Sequence, residues 1–411
     1  MCNDEIRMLR GGLGSFKEWR GKCLLFVATS ISCAIIAEIV IRFLLPIGPS
    51  IYQADPILLH KLIPNSRKVF KHKKENGGEK IQIAINSLGF RGPELSQVPG
   101  IKRIIVYGDS FIEGEFSALD KTFARQLEGK INAGSSGPIE VVNAGVVAYG
   151  PDQIGLKIDR EIDRLHPDLV ILGIFPGNDF GDLVRNKIYR LDSNNKLQVN
   201  DYFLSDSLRS TLVKAAAGVN DEYFRTLAVA SEAYRNLSHS IMNFIDPDSY
   251  FEATLRFSRE AYEDVVLRHN YEVTNLFGDY YAADVALKPN ELSSIYAIKL
   301  MENVIRKINL SLVSRKIPLI LLIIPHPIDV CRQRHIQVNQ SKYKEYKRSG
   351  LTDIVEDIAK RQEISYLNLF SYFNELGADN LYFEIEDHWN NLGQSVAADL
   401  TARLIRSKQV F

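Results

Sequence analysis

Four short blocks hold the residues whose types and spacing could do chemistry. They are Gly108-Asp109-Ser110, followed by Phe-Ile-Glu-Gly; Asn143-Ala144-Gly145; Phe175-Pro-Gly177-Asn178-Asp179; and Glu386-Asp387-His388-Trp389-Asn390. A serine hydroxyl attacks an acyl carbonyl only when a base takes its proton and donors face the developing oxyanion. Ser110 is the candidate nucleophile. Of eight histidines, His388 alone has a suitable setting for the base, beside two carboxylates and ahead of a helical pattern. The backbone N–H groups of Ser110 and Gly145 and the side-chain amide of Asn178 could supply three oxyanion donors. His326, in Pro325-His-Pro327, is a further candidate for contact with a substrate. Taken singly, each block also reads as an ordinary turn. Their coincidence depends on the elements that position them.

Those elements are legible from Arg103 onward. Short apolar runs at Ile104–Tyr107, Ile139–Val142, Leu169–Leu172, Leu319–Ile324 and Ile364–Leu367 alternate with helical spacing. Phe123, Leu127 and Ile131 form one helical set, and Ile154, Ile158, Ile162 and Leu165 another. Ile298, Met301, Ile305, Ile308 and Leu312 form a third, and Val396, Leu400 and Leu404 the last. Continuous apolar strands alternating with amphipathic helices predict a parallel sheet covered on both faces. The expected fold is therefore a three-layer α/β/α sandwich, in which ligands bind at the carboxyl ends of the strands. All four blocks fall at such ends or at a loop-to-helix junction.

In this order the blocks resemble those of the SGNH/GDSL hydrolases. The resemblance covers roughly residues 100–182 and 315–408. It implies a flavodoxin-like sheet, Ser110 as nucleophile, His388 as base, and Ser110, Gly145 and Asn178 as oxyanion hole. The family's acid usually stands three residues before the histidine, where this chain has Ile385. A bacterial branch resembling exopolysaccharide O-acetyltransferases often has Asp two residues before it and Trp after it. Glu386 and Trp389 occupy those places here. Glu386 is thus the expected acid with Asp387 as alternative, and Trp389 joins His326 as a candidate substrate contact. The Asn86-Ser-Leu-Gly-Phe-Arg-Gly92 segment resembles membrane-anchored members of the same family. The Gly-x-Ser-x-Gly elbow of α/β-hydrolases is absent.

The remaining sequence sets the organisation. The 411 residues carry 50 basic and 50 acidic side chains, so there is no basic excess with which to coat nucleic acid. A mean hydropathy of −0.10 excludes a polytopic membrane protein. Residues 23–45, however, are almost wholly apolar and follow Arg7, Arg10, Lys17, Arg20 and Lys22. This predicts a single-pass signal anchor with residues 1–22 in the cytoplasm and the rest outside, on the periplasmic side. Residues 46–100 read as a stalk and edge hairpin. Residues 101–182 and 291–411 make the hydrolase-like domain, and 183–290 a mostly helical, aromatic-rich insertion. Only Cys331 of the four cysteines lies in the exported part, so no disulfide framework is expected. The Cys331 and His335 pair is too little for a structural zinc site, and no metal or cofactor is expected.

These readings predict an exported serine esterase acting on an O-acylated carbohydrate or lipid through an acyl-serine. If a sugar hydroxyl replaces water as acceptor, the same site is an O-acyltransferase. Acetyl-CoA is lacking outside the cytoplasm, so transfer requires a membrane partner that exports the acyl group. A non-catalytic scaffold on the same fold is the rival from another class.

Overall fold

The segment ahead of the first apolar run folds as two antiparallel hairpins. Strand β1 (Tyr52–Asp55) pairs with β2 (Leu59–Leu62), and β3 (Arg67–Lys71) with β4 (Lys80–Ala84). The Lys-Ile-Gln-Ile stretch of β4 alternates, so Ile81 and Ile83 are buried while Lys80 and Gln82 are exposed. One face is dry and the other wet. The computed structural model describes residues 19, 22–40, 50–72, 78–134, 137–199, 247–263, 266, 281–333, 338–384 and 386–409. Ile51, Leu62, Ile81, Ile83 and Phe90 belong to the main hydrophobic core. The described residues of the segment read as a stalk and edge hairpin therefore contribute to the domain's core.

The chain continues through β5 (Lys102–Tyr107), α1 (Ser110–Glu113), α2 (Phe123–Asn132), β6 (Ile139–Asn143), α3 (Pro151–Leu165), β7 (Leu169–Ile174) and α4 (Asp179–Asn186). Next comes a hairpin of β8 (Tyr189–Leu191) and β9 (Leu197–Val199), which the sequence reading did not expect. Its turn is fixed by Asp192 Oδ1, which accepts from the Asn194 and Lys196 N–H groups at 2.8 Å each. Helices α5 (Pro247–Tyr262) and α6 (Ala283–Leu287) follow. The rest of the expected insertion, with most of its aromatics, lies outside the described residues. The domain closes with α7 (Leu292–Ser314), β10 (Leu319–Ile323), α8 (Pro327–Val330), α9 (Gly350–Arg361), β11 (Ser365–Asn368), α10 (Phe370–Leu376) and α11 (Asn391–Ser407).

Each of the five expected apolar runs is a strand of one parallel sheet, in the order β11-β10-β7-β5-β6. Successive side chains leave on opposite faces. Ile105, Tyr107, Leu172 and Ile323 enter one core with residues of α3, α7 and α9. Ile104, Val106, Ile171 and Leu322 enter a second with residues of α2 and α11. This is a three-layer α/β/α sandwich. Helix α11 departs from its expected packing. It buries Ala397, Ala398, Thr401 and Ala402, while Val396, Leu400 and Leu404 sit at the rim. Small side chains let it approach closely, which a pattern of large aliphatics does not reveal.

Topology places the site. From β5 the chain goes to β6 on one side and then to β7 on the other. Such a reversal opens a crevice at the carboxyl ends of the strands. The ends that flank it are those followed by Ser110, Gly145 and Asn178.

The N-terminal helix Lys22–Val40, described by itself, has 19 residues and a mean hydropathy of 2.3. At ~1.5 Å per residue it covers about 28 Å, close to the ~30 Å of a bilayer core. Length and composition suffice for a membrane crossing or for the apolar part of an export signal.

Candidate active site

Ser110 opens α1, a single turn set on the end of β5. Asp109 is its N-cap, and Asp109 Oδ1 accepts the Phe111 N–H at 2.9 Å. Burial, the main cause, raises the Asp109 carboxyl to about 7. The turn ends at Gly114, whose φ of +73° suits glycine. Gly145 presses on the same turn from the end of β6. A Cβ there would stand 2.3 Å from Glu113 N and 2.7 Å from the Ile112 carbonyl carbon, so only glycine fits.

The carbonyl end of α1 is held from the Asn86–Gly92 segment. Asn86 Oδ1 accepts the Leu88 and Phe90 N–H groups at 3.0 and 2.9 Å, closing a turn that delivers Arg91. Arg91 is buried. Its guanidinium donates to the carbonyls of Glu113 at 2.7 Å, of Gly114, and of Ser117 at 2.5 Å. A cation on a helix's last carbonyls is favourable. The Glu113 carboxylate is fully buried beneath, accepting from Tyr52 Oη at 2.7 Å and Val147 N–H at 2.8 Å. In the sequence the Asn86–Gly92 segment stands out only as a resemblance, and its position gives no hint that it clamps the Ser110 turn.

His388 lies on the loop before α11. Phe383 N–H donates to the His388 carbonyl at 3.0 Å, and Tyr382 bridges Trp389. These contacts turn the loop so that His388 Nε2 is 2.7 Å from Ser110 Oγ. The imidazole packs between the rings of Phe111 and Phe116, each with its centroid 4.7 Å away. Burial is the main cause that lowers its pKa to about 4, and the Asp387 charge opposes the shift. At neutral pH the ring is uncharged and able to accept a proton. Its Nδ1 has no hydrogen-bond partner among the described residues.

The two candidate acids face different ways. Glu386 lies near Glu115, whose carboxyl is raised to about 8 by burial and then by the charges of Glu113 and Glu386. Asp387 is the carboxylate whose charge acts on His388, and its Oδ2 is 3.9 Å from His326 Nε2. The expectation for Glu386 relied on the side-to-side alternation of an extended chain. The backbone is instead bent at Glu386, Asp387 and His388. Ile385 lies outside the described residues.

Neither expected substrate contact is exposed. Trp389 is 1% exposed and packs face to face with Phe123 at 5.8 Å. Its Nε1–H donates to the Phe111 carbonyl at 3.1 Å, so it ties α1 to the His388 loop. His326 is also 1% exposed, stacked on Phe175.

Among the expected oxyanion donors, Gly145 N–H is engaged with Asn143 Oδ1 at 3.1 Å. Asn178 sits at the N-terminus of α4 without capping it, and its Oδ1 has no hydrogen-bond partner among the described residues. No group of three His, Cys, Asp or Glu is placed to hold a metal ion among the described residues. Cys331 is buried and unbonded to another cysteine, and His335 lies outside those residues. An open groove of about 700 Å³ starts at Phe383 and runs past Leu392 and Val396, without including Ser110 or His388.

No known family model and no curated protein matches the chain. Among solved structures it is similar to a lipase/acylhydrolase from Enterococcus faecalis, at 12% identity over 75% of this chain and 97% of that one, with a TM-score of 0.35. The psychrotrophic esterase EstA from Pseudoalteromonas sp. is 10% identical over 75% and 98%, with a TM-score of 0.37. An acetylxylan esterase from Geobacillus stearothermophilus is 13% identical over 74% and 93%, with a TM-score of 0.36.

Proposed function

We propose that this chain is a serine-dependent ester hydrolase of the SGNH type, acting outside the cytoplasm on an acylated carbohydrate or lipid. The observation that carries the proposal is the 2.7 Å contact of Ser110 Oγ with His388 Nε2 at the carboxyl edge of the sheet. A nucleophile and base within hydrogen-bond reach are the diagnostic pair. A scaffold protein has no need to bury an uncharged imidazole against a serine.

In the first half-reaction Ser110 Oγ attacks the acyl carbonyl and its proton passes to His388 Nε2. The carbonyl oxygen becomes an oxyanion, which the Asn178 amide and the Ser110 N–H stabilise. Gly145 N–H joins them if it leaves Asn143. The oxyanion collapses, the C–O bond to the leaving alcohol breaks, and His388 gives that alkoxide the proton. An acyl-serine remains. Water then attacks it, the bond from the acyl carbon to Ser110 Oγ breaks, and the water's proton passes through His388 to that oxygen as the carboxylic acid leaves. Asp387 is the acid that favours the imidazolium, in place of Glu386. A sugar hydroxyl in the place of water gives O-acyl transfer by the same steps. The Phe383 groove offers room for a part of the substrate remote from the ester.

The apolar helix, with five basic residues ahead of it, supports a single-pass anchor that leaves the site on the extracytoplasmic side. The test of the whole reading uses the full chain in detergent with p-nitrophenyl acetate and a fluorophosphonate probe. The wild type should hydrolyse the ester and be labelled on Ser110, and Ser110→Ala should lose both while keeping its circular dichroism spectrum. Triad members typically contribute several orders of magnitude in rate. Retention of more than a few per cent of the activity in Ser110→Ala would overturn the assignment.

A further inference from the structure

Resting on that reading, we propose that His326 is a positioning residue, which holds the Asp387 carboxylate in place for His388 through its Nε2–H. The chain of groups is then Ser110, His388, Asp387 and His326, drawn from three different strand ends or loops.

The tautomer follows from the backbone. His326 N-caps α8, and its Nδ1 accepts the Ile328 N–H at 3.1 Å. A nitrogen that accepts carries no proton, so the ring's proton is on Nε2. That nitrogen faces Asp387 Oδ2 at 3.9 Å. That separation is longer than a hydrogen bond, and catalytic hydrogen bonds often tighten only once substrate is bound.

The ring is also fixed on its other sides. It stacks on Phe175 with centroids 5.3 Å apart, and Tyr281 meets it edge-on at 5.1 Å. Tyr281 is in turn held by Asp329 Oδ1, which accepts its hydroxyl at 2.8 Å. A Cβ on Gly177 would stand 2.5 Å from His326 Cδ2, so the turn after β7 admits the ring only because residue 177 is glycine. This buried, oriented donor meets a carboxylate that is 45% exposed. Ordering Asp387 is what the donor adds.

Two variants separate the ring's two jobs. His326→Asn keeps an acceptor for the Ile328 N–H and removes the donor at the Nε2 position. His326→Gln places an amide N–H near that position and gives up the cap. With p-nitrophenyl acetate, His326→Asn should lower kcat by about tenfold to a hundredfold at unchanged KM, short of the ~10⁴ attached to a misplaced triad acid. His326→Gln should recover most of the rate. On an Asp387→Asn background, His326→Asn should cost less than threefold. A Ser110-dependent wild type, alongside a His326→Asn variant with unchanged kcat, overturns this inference and leaves the esterase reading intact. An inactive, unlabelled wild type overturns the esterase reading itself. If neither variant folds, nitrogen NMR of histidine-labelled wild type decides: a proton on His326 Nδ1 refutes the proposal, and one on Nε2 supports it.

Discussion

Trp389 Nε1–H donates to the Phe111 carbonyl, so the residue after His388 is bonded to the residue after Ser110. Ser110 and His388 lie 278 positions apart in the chain, and this bond links the two segments one residue from the contact itself. Arg91 fixes the same turn from its other end, through the Glu113, Gly114 and Ser117 carbonyls. The turn that begins at Ser110 has only four residues and few hydrogen bonds of its own. Its position is set by partners from β6, the Asn86–Gly92 segment and the His388 loop.

Trp389→Phe should therefore affect rate as well as stability. Phenylalanine keeps a ring against Phe123 and removes the donor, leaving a buried carbonyl unpaired at a cost of about 1–3 kcal/mol. We expect a lower Tm and a kcat reduced by about tenfold, since small misplacements of reacting groups are costly. Thermal unfolding and ester hydrolysis on the same preparation check this. A lowered Tm with wild-type kcat would make Trp389 a core residue only.

The pH profile follows from the burial of His388. With its pKa lowered to about 4, the imidazole is uncharged and able to accept a proton at every pH above that. The profile of kcat/KM reports the free enzyme's essential groups. Its acid limb should be centred near 4, with nearly full activity at pH 5.5. A limb centred at the ordinary histidine value of about 6.5 would contradict the buried, aromatic-flanked ring.

Asn178 should matter more than its turn position suggests. Its side chain neither caps α4 nor finds a partner for Oδ1 among the described residues. Asn178→Ala should lower kcat by about 10²–10³, the cost of one oxyanion donor, with little change in KM or Tm. A rise in KM at constant kcat would make it a contact to the bound ground state.

Strand order cannot be read from periodicity, yet all five strands of the central sheet were legible because each is a short run of aliphatic residues between helical patterns. Ser110 and His388 stand out in the sequence because each sits where a strand or helix pattern breaks, and the fold sets their side chains 2.7 Å apart. Other features depended on packing. Trp389 is an aromatic beside a histidine in the sequence, and only the fold shows its indole turned inward to Phe111. The bend of the loop at Glu386, Asp387 and His388 is likewise something no alternation rule foresees. Arg91 was hidden because its contacts depend on a segment folding back onto the Ser110 turn. The β8–β9 hairpin escaped notice because three-residue strands leave no measurable period.

The last prediction concerns stability. Asp152 lies in the first turn of α3 and is 1% exposed. Its Oδ1 accepts from Asn186 Nδ2 at 2.9 Å, while Oδ2 has no hydrogen-bond partner among the described residues. Burial is the main cause that raises its carboxyl to about 7, with a further push from the charge of Asp182. In the unfolded chain the same group titrates near 3.9. Between those values the folded state holds a proton that the unfolded state has lost. The contribution to stability is therefore fully present below about pH 4 and is lost as pH rises through about 7. Asp109 and Glu115 are raised in the same direction, so the wild-type chain should have a lower Tm at pH 8 than at pH 5. Asp152→Asn keeps the shape and removes the charge. It should raise Tm at pH 8 relative to wild type, with a smaller gain or none at pH 5. Thermal unfolding of both proteins at the two pH values, in one buffer and detergent, makes the comparison. An equal shift at pH 5 and pH 8 would show that Asp152 does not titrate between them.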